Sequence, residues 1–178
     1  GGGYEKLYMD VVQLVKKRGT KISFNPGVIQ IKEQKKELFK LLKYTTVLFV
    51  NKVEAEHILQ ADEKTKIHNL MAGLKKLGPK YVVITDGQNG AYSYDGKQLD
   101  FAPMFPGDRV EATGAGDSFA TGFIGALMLG EHHREALRWG SVNAASVVQS
   151  IGPTKGLLSH TQIKRCLKAR PSYKTKEL

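Results

Sequence analysis

Two short unbroken apolar runs, Val47-Leu48-Phe49-Val50 and Val82-Val83-Ile84, constrain this chain most. A strand with one wet face alternates apolar and polar residues. A run without alternation has both faces covered, the condition of a parallel sheet packed between helices. The segments around the runs supply such helices. Tyr4 to Arg18 repeats Leu7, Val11, Leu14 and Val15 at helical spacing and meets Gly19 after a basic last turn. Lys21 to Asn25 reads as a short strand entering Pro26-Gly27, and Gln30 to Tyr44 is helical through Ile31, Leu38, Leu41 and Leu42. After the first run, Asn51 opens a helix through Leu59, and another from about Glu63 to Leu77 closes on Gly78-Pro79.

Past Thr85 the pattern changes. Ala91 to Tyr94 and Lys97 to Phe101 flank Asp95-Gly96, a two-residue hairpin signal that adds an antiparallel edge. Pro103, Pro106 and Gly107 punctuate a connection. The small residues from Thr113 to Gly116 then lead into an apolar helix from Asp117 to Leu129. A second long helix runs from about His132 to Ser150, Ile151-Gly152-Pro153 breaks it, and a last one spans about Thr161 to Lys168. The expected fold is a three-layer α/β/α sandwich with a mainly parallel sheet, whose ligands bind at the carboxyl ends of strands. Residues 1–170 form its body and 171–178 a basic tail.

With 178 residues, 41% of them apolar and 25% charged, the chain can bury a sizeable core. Its longest strongly apolar stretch, Phe119 to Leu129, is about half the ~20 residues a spanning helix needs, so no membrane partner is expected. The single Cys166 and the lack of an export signal fit a cytoplasmic location. Lys and Arg number 27 against 17 Asp and Glu, a net charge of +10. Those charges are scattered over helical segments without interleaved aromatics. Solvated helix faces account for them better than a nucleic-acid groove, which would offer bases something to stack on.

Chemistry concentrates at Thr113-Gly114-Ala115-Gly116-Asp117-Ser118-Phe119. Two glycines around a methyl side chain let main-chain amides face a ligand, and the helix that starts there adds unpaired N–H groups and a positive dipole end. Asp117 stands beside this anion cradle, where a carboxylate can orient an alcohol and take its proton late in a loose phosphoryl transfer. The competing reading makes Asp117 the helix N-cap and the glycines a tight turn. Four further segments have equally plain alternatives. Asn51-Lys52-Val53-Glu54 is a variant capping box. Thr85-Asp86-Gly87-Gln88-Asn89-Gly90 is turn chemistry, Asn143 is a polar residue on a helix, and Asn25-Pro26-Gly27 is a strand end.

Taken together and in order, these segments resemble the PfkB, or ribokinase-like, carbohydrate kinases. Glu111-Ala112-Thr113-Gly114-Ala115-Gly116-Asp117 is similar to that family's D-T-T-G-A-G-D signature, Asn51 to Glu54 to its N-x-x-E motif and Thr85 to Gly90 to its T-x-G-x-x-G loop. Asn143-Ala144-Ala145 matches its N-A-A pattern, and Asn25-Pro26 the N-P segment facing the transfer cleft. The resemblance implies transfer of a γ-phosphoryl group from ATP to a hydroxyl of a sugar or nucleoside. Asp117 would be the base, and Gly114, Ala115 and Gly116 the anion hole. It further implies nucleotide contacts from Thr85, Gly87, Gly90, Thr113 and Asn143, and Mg²⁺ organised indirectly by Asn51 and Glu54. Glu111, one methylene longer, replaces an Asp that helps hold a monovalent cation in the family, so potassium activation is not carried over.

The resemblance covers only the family's carboxyl-terminal part, without the upstream Gly-Gly-Asn-type sugar motif or the lid strands. The acceptor side is therefore expected from elsewhere, from a missing N-terminal portion or from another polypeptide; an exposed sheet edge or apolar face is expected near Lys21 to Asn25, prone to association, with a homo-oligomer as the partner this allows. A non-catalytic nucleotide-sensing module of the same fold is the alternative function, and a basic nucleic-acid-binding domain a distant third.

Overall fold

A computed structural model of the chain describes residues 3–178; Gly1 and Gly2 lie outside them. The chain divides into two compact units. One comprises the residues up to Ile84 with the hairpin tip Tyr94–Leu99, the other Thr85–Ser93 with Asp100–Leu178.

The first unit carries α1 (Tyr4–Arg18), β1 (Ser23–Phe24), α2 (Val28–Glu33), α3 (Lys36–Leu42), β2 (Val47–Asn51), α4 (Lys52–Leu59), α5 (Ile67–Lys76) and β3 (Tyr81–Thr85), of which Thr85 falls with the second unit. β1 and β2 are parallel, with Ser23 opposite Val47 and Phe24 opposite Leu48. Val47 to Val50 and Val82 to Ile84 are buried throughout, as non-alternating runs require. Leu38, Leu41 and Leu42 of α3 and Leu70, Met71 and Leu74 of α5 share that burial. Neighbouring strands follow chain order, β1-β2-β3, so among the described residues β1 has a single strand neighbour. Leu7, Leu14, Val28 and Ile29 are exposed in this unit.

Two helix expectations need correction here. Gln30 to Tyr44 is not one helix but α2 and α3, separated at Gln34, which adopts a left-handed φ of 45°. The break is held from outside. Gln34 Nε2 donates to His57 O over 2.7 Å, and Gln60 Nε2 donates to Gln34 Oε1 over 2.7 Å. The helix expected from Glu63 begins at Ile67 instead, because Asp62 Oδ1 accepts the Lys64 N–H at 2.8 Å and Asp62 O that of Thr65 at 2.9 Å. An Asp side chain that takes nearby amides in a turn competes directly with helix.

The second unit carries β4 (Ala91–Tyr94) and β5 (Leu99–Ala102), of which Tyr94 and Leu99 fall with the first unit, and α6 (Ala115–Met128), α7 (His133–Val147), α8 (His160–Ala169) and β6 (Lys176–Glu177). Its strand neighbours also follow chain order, β4-β5-β6, and β6 lies antiparallel to β5. Residues 171–178, read from the sequence as a basic tail, contain a strand and the buried Tyr173. α6 and α7 pack with their backbones close. A Cβ on Gly122 would come within 2.8 Å of Trp139 O, and one on Gly140 within 2.9 Å of Phe119 O. α7 ends at Val147, short of Ser150, and α8 extends one residue beyond each expected end, behind a Ser159–Gln162 capping box. Among the described residues no helix is long and apolar enough to cross a membrane.

Candidate active site

α6 starts at Ala115, two residues earlier than its apolar pattern suggests, and its N-cap is Gly114 rather than Asp117. Gly114 has φ 79°, left-handed, and a Cβ there would lie 2.6 Å from Pro153 O, so only glycine suits the position. Asp117 is the third helical residue and its side chain caps nothing, which removes the N-cap reading. It is exposed. Among the described residues the N–H groups of Gly116 and Asp117 have no acceptor, whereas Ala115 N–H reaches Ala112 O at 3.2 Å and Ser118 N–H reaches Gly114 O at 2.9 Å. The amides left for an anion are therefore those of Gly116 and Asp117, with Ala115 already engaged. In front of Gly116 the space is open, since a Cβ built there meets nothing within 4 Å. This cradle at a helix N-terminus has the chemistry an anionic phosphate needs.

A cavity of about 150 Å³ opens beside it within the second unit. Thr85, Gly87 and Gly90 line it from the turn after β3, and Ala115, Gly116 and Phe119 from α6. Five of the sequence-derived positions thus converge on one space. The turn is tied by Asp86 N–H to Gly90 O at 2.8 Å and Asn89 N–H to Asp86 O at 2.9 Å. The far end of the cavity is apolar, built from Met104 and Phe105 on a loop and from Ala144, Ala145 and Val148. Ala144 and Ala145 belong to the segment matched to the N-A-A pattern, whereas no motif pointed to Met104, Phe105 or Val148. Ser141, Ala144, Ala145 and Val148 do stand at i, i+3, i+4 and i+7, a small-residue stripe at helical spacing that could have marked this wall.

Thr113, Gly114, Asp117 and Asn143 are not among the lining residues. The Thr113 hydroxyl is engaged with Glu111, whose carboxylate also accepts the Gly152 N–H at 2.9 Å, and the two donors hold that carboxyl below its ordinary range. Asn143 is buried and spent on protein at both ends. Its Nδ2 donates to Ser118 O at 2.7 Å and its Oδ1 accepts from Leu158 N–H at 2.9 Å.

In the first unit, Asn51 and Glu54 form the reciprocal capping box of α4, with Asn51 Oδ1 accepting Glu54 N–H and Glu54 Oε2 accepting Asn51 N–H, both at 2.8 Å. Glu54 Oε1 has no partner among the described residues and remains available to a cation's water shell. Asn25 is exposed just past the end of β1.

One other group in the second unit has metal-ligand chemistry. Donor atoms of Asp100, His132 and His133 lie within 4.8 Å of one another. Protein partners already serve these atoms. Arg134 donates to Asp100 Oδ1 at 2.7 Å, and Ser93 Oγ meets His133 Nδ1 at 2.8 Å. A guanidinium on the carboxylate opposes a second cation there.

Comparison with known proteins places the fold first and the family next. The chain superposes on Arabidopsis thaliana ribokinase, solved with ribose and ATP, with a TM-score of 0.81 at 26% identity over 92% of this chain and 53% of that one. An E. coli protein described as a ribokinase II, solved with ATP and Mg²⁺, gives 0.78 at 25% identity over 90% of this chain and 53% of that one. The architecture is therefore the ribokinase α/β sandwich. The pfkB family carbohydrate kinase model matches residues 3–160, and the chain belongs to that family. Its relatives include a cytidine kinase of Thermococcus kodakarensis, 29% identical over 81% of this chain and 52% of the relative. A nucleoside kinase of Methanothermobacter thermautotrophicus is 32% identical over 75% of this chain and 41% of the relative. The chain spans about half the length of the curated relatives it matches.

Proposed function

We propose that this chain is the nucleotide-binding and phosphoryl-transferring part of an ATP-dependent kinase that acts on a hydroxyl of a sugar or nucleoside. The observation that carries the proposal is one cavity shared by the Thr85–Gly90 turn and the start of α6, with two acceptor-less amides and Asp117 at that start. The apolar end takes the nucleobase. The Gly87 N–H and the free α6 amides take phosphate oxygens, while Gly90, whose N–H bonds Gly87 O, shapes the turn.

In the transfer, the acceptor oxygen bonds to the γ-phosphorus while the bond to the β,γ-bridging oxygen breaks, and its electron pair leaves with ADP. The acceptor's proton passes to the Asp117 carboxylate. The Gly116 and Asp117 N–H groups stabilise charge on the oxygens of the transferring group, which is where fixed donors contribute most. Magnesium, carried mainly by the phosphates, neutralises charge on them when bound. Within the first unit, Glu54, oriented by Asn51, keeps Oε1 for the water shell of a cation, the role that the family's N-x-x-E motif suggests for it.

Calorimetric titration of the chain with magnesium-ATP tests the reading. A dissociation constant of about 1 mM or lower, the range in which enzymes hold their substrates, is expected. No heat of binding at millimolar nucleotide would overturn it.

A further inference from the structure

One wall of the cavity is an irregular loop, Pro103 to Arg109, which contributes Met104, Phe105, Gly107, Asp108 and Arg109. Among the described residues, 104–109 make no main-chain hydrogen bond. Such a wall needs support from outside itself, and the last residues of the chain provide it. Tyr173 is the only buried residue of 171–178. Its hydroxyl donates to Pro103 O over 2.7 Å, across 70 residues of sequence, and its ring meets that of Phe105 edge-on with centroids 4.8 Å apart. The Arg170 guanidinium lies over the same Phe105 ring, 5.3 Å from its centroid. Tyr173 also contacts the Ser141 hydroxyl, another lining residue, and burial is the main reason its phenol is pushed up to about 12.

The segment is anchored at its far end as well. Lys176 and Glu177 pair with Phe101 and Asp100 of β5, and Arg134 of α7 binds Glu177 Oε2 and Asp100 Oδ1, each at 2.7 Å. Asp100 is completely buried, whereas Glu177 is exposed, so the backbone pairing with β5 and the buried end of the bridge at Asp100 hold the strap more than the screened Glu177 pair does.

We infer that Arg170–Glu177 is a strap that shapes the nucleobase end of the cavity, with Tyr173 as its positioning residue. The inference rests on the donor-site reading above. A wall held in place before binding spares the nucleotide the cost of ordering it, so the strap sets affinity for the base and leaves the phosphate cradle at α6 untouched.

The test uses the full chain, Tyr173→Phe and a variant ending at Arg170, titrated calorimetrically with adenosine, magnesium-ATP and inorganic tripolyphosphate at a temperature where circular dichroism shows each folded. Tyr173→Phe keeps the ring and loses only the hydroxyl, so it decides the matter even where the shortened variant fails to fold. The expected result is an adenosine and ATP affinity about three- to tenfold weaker in Tyr173→Phe, the effect of one hydrogen bond, with tripolyphosphate unchanged. Unchanged adenosine affinity overturns the strap, and so does equal weakening of all three probes, which a general loosening of the unit would cause. Failure of the unaltered chain to bind adenosine or ATP would instead remove the donor site, and the strap's role with it.

Discussion

Asn143 on α7 donates to the main-chain oxygen of Ser118 on α6 over 2.7 Å, one residue past Asp117. The same side chain accepts the N–H of Leu158, so a single amide ties together the first turn of α6, the middle of α7 and the approach to α8. Its place in the family's N-A-A pattern suggested a nucleotide contact; its geometry gives it protein partners on both sides. Asn143→Ala leaves the Ser118 oxygen and the Leu158 N–H without partners in a buried setting. The expected cost is about 2–4 kcal/mol, read in thermal denaturation as a melting point lower by roughly 5–15 °C. A variant that melts with the parent would show that the two bonds contribute nothing.

Asp117 sits in the first turn of α6 with its side chain uncommitted to a cap. Asp117→Asn preserves shape and removes the proton acceptor. In an active enzyme containing this chain, kcat is expected to fall about 10²–10⁴-fold, the usual reach of a positioned general base, with the dissociation constant for magnesium-ATP within a few-fold of the parent. Steady-state assays with ribose and with a nucleoside as acceptor measure the first quantity, and calorimetry the second. Parental turnover in the variant would eliminate the base.

Glu111 provides a pH test that needs no substrate. Its carboxyl is held below the ordinary 4.5 by the Thr113 hydroxyl first and the Gly152 N–H second. A carboxyl depressed in the folded state stabilises that state fully above its unfolded value, and the contribution drains away as pH falls below about 4.5 through the folded value. Glu111→Gln is therefore expected to flatten the acid limb of a melting-temperature profile below pH 4.5 while leaving the neutral region without pH dependence from this group. Thr113→Ala, which removes the leading donor, should flatten it in part. An unchanged acid limb in both variants would show that the contacts do not survive in solution.

Much of the fold was legible because its signals are local. The burial of Val47 to Val50 and Val82 to Ile84, the turn between β4 and β5 and the apolar length of α6 follow from periods and turn chemistry within a few residues of each position, although that turn takes the four residues 95–98 where two were expected. What was misread depended on partners far along the chain. The break at Gln34 is held by His57 and Gln60, and the strand at Lys176–Glu177 by β5 and Arg134. Neither element has a propensity of its own strong enough to announce it.

The candidate site divides in the same way. Sequence alone determined which residues could carry chemistry, because Gly114-Ala115-Gly116-Asp117 and Thr85 to Gly90 are short segments whose capacity to present amides and a carboxylate is written in residue type and spacing. Tertiary structure decided which amides are left for a ligand, gave Asn143 and Thr113 to protein partners, and built the apolar end of the cavity from Phe105, Ala144, Ala145 and Val148. Those outcomes turn on hydrogen bonds and close packing between segments tens of residues apart, and the satisfaction of a donor is a property of its neighbours in space, not of its neighbours in the chain.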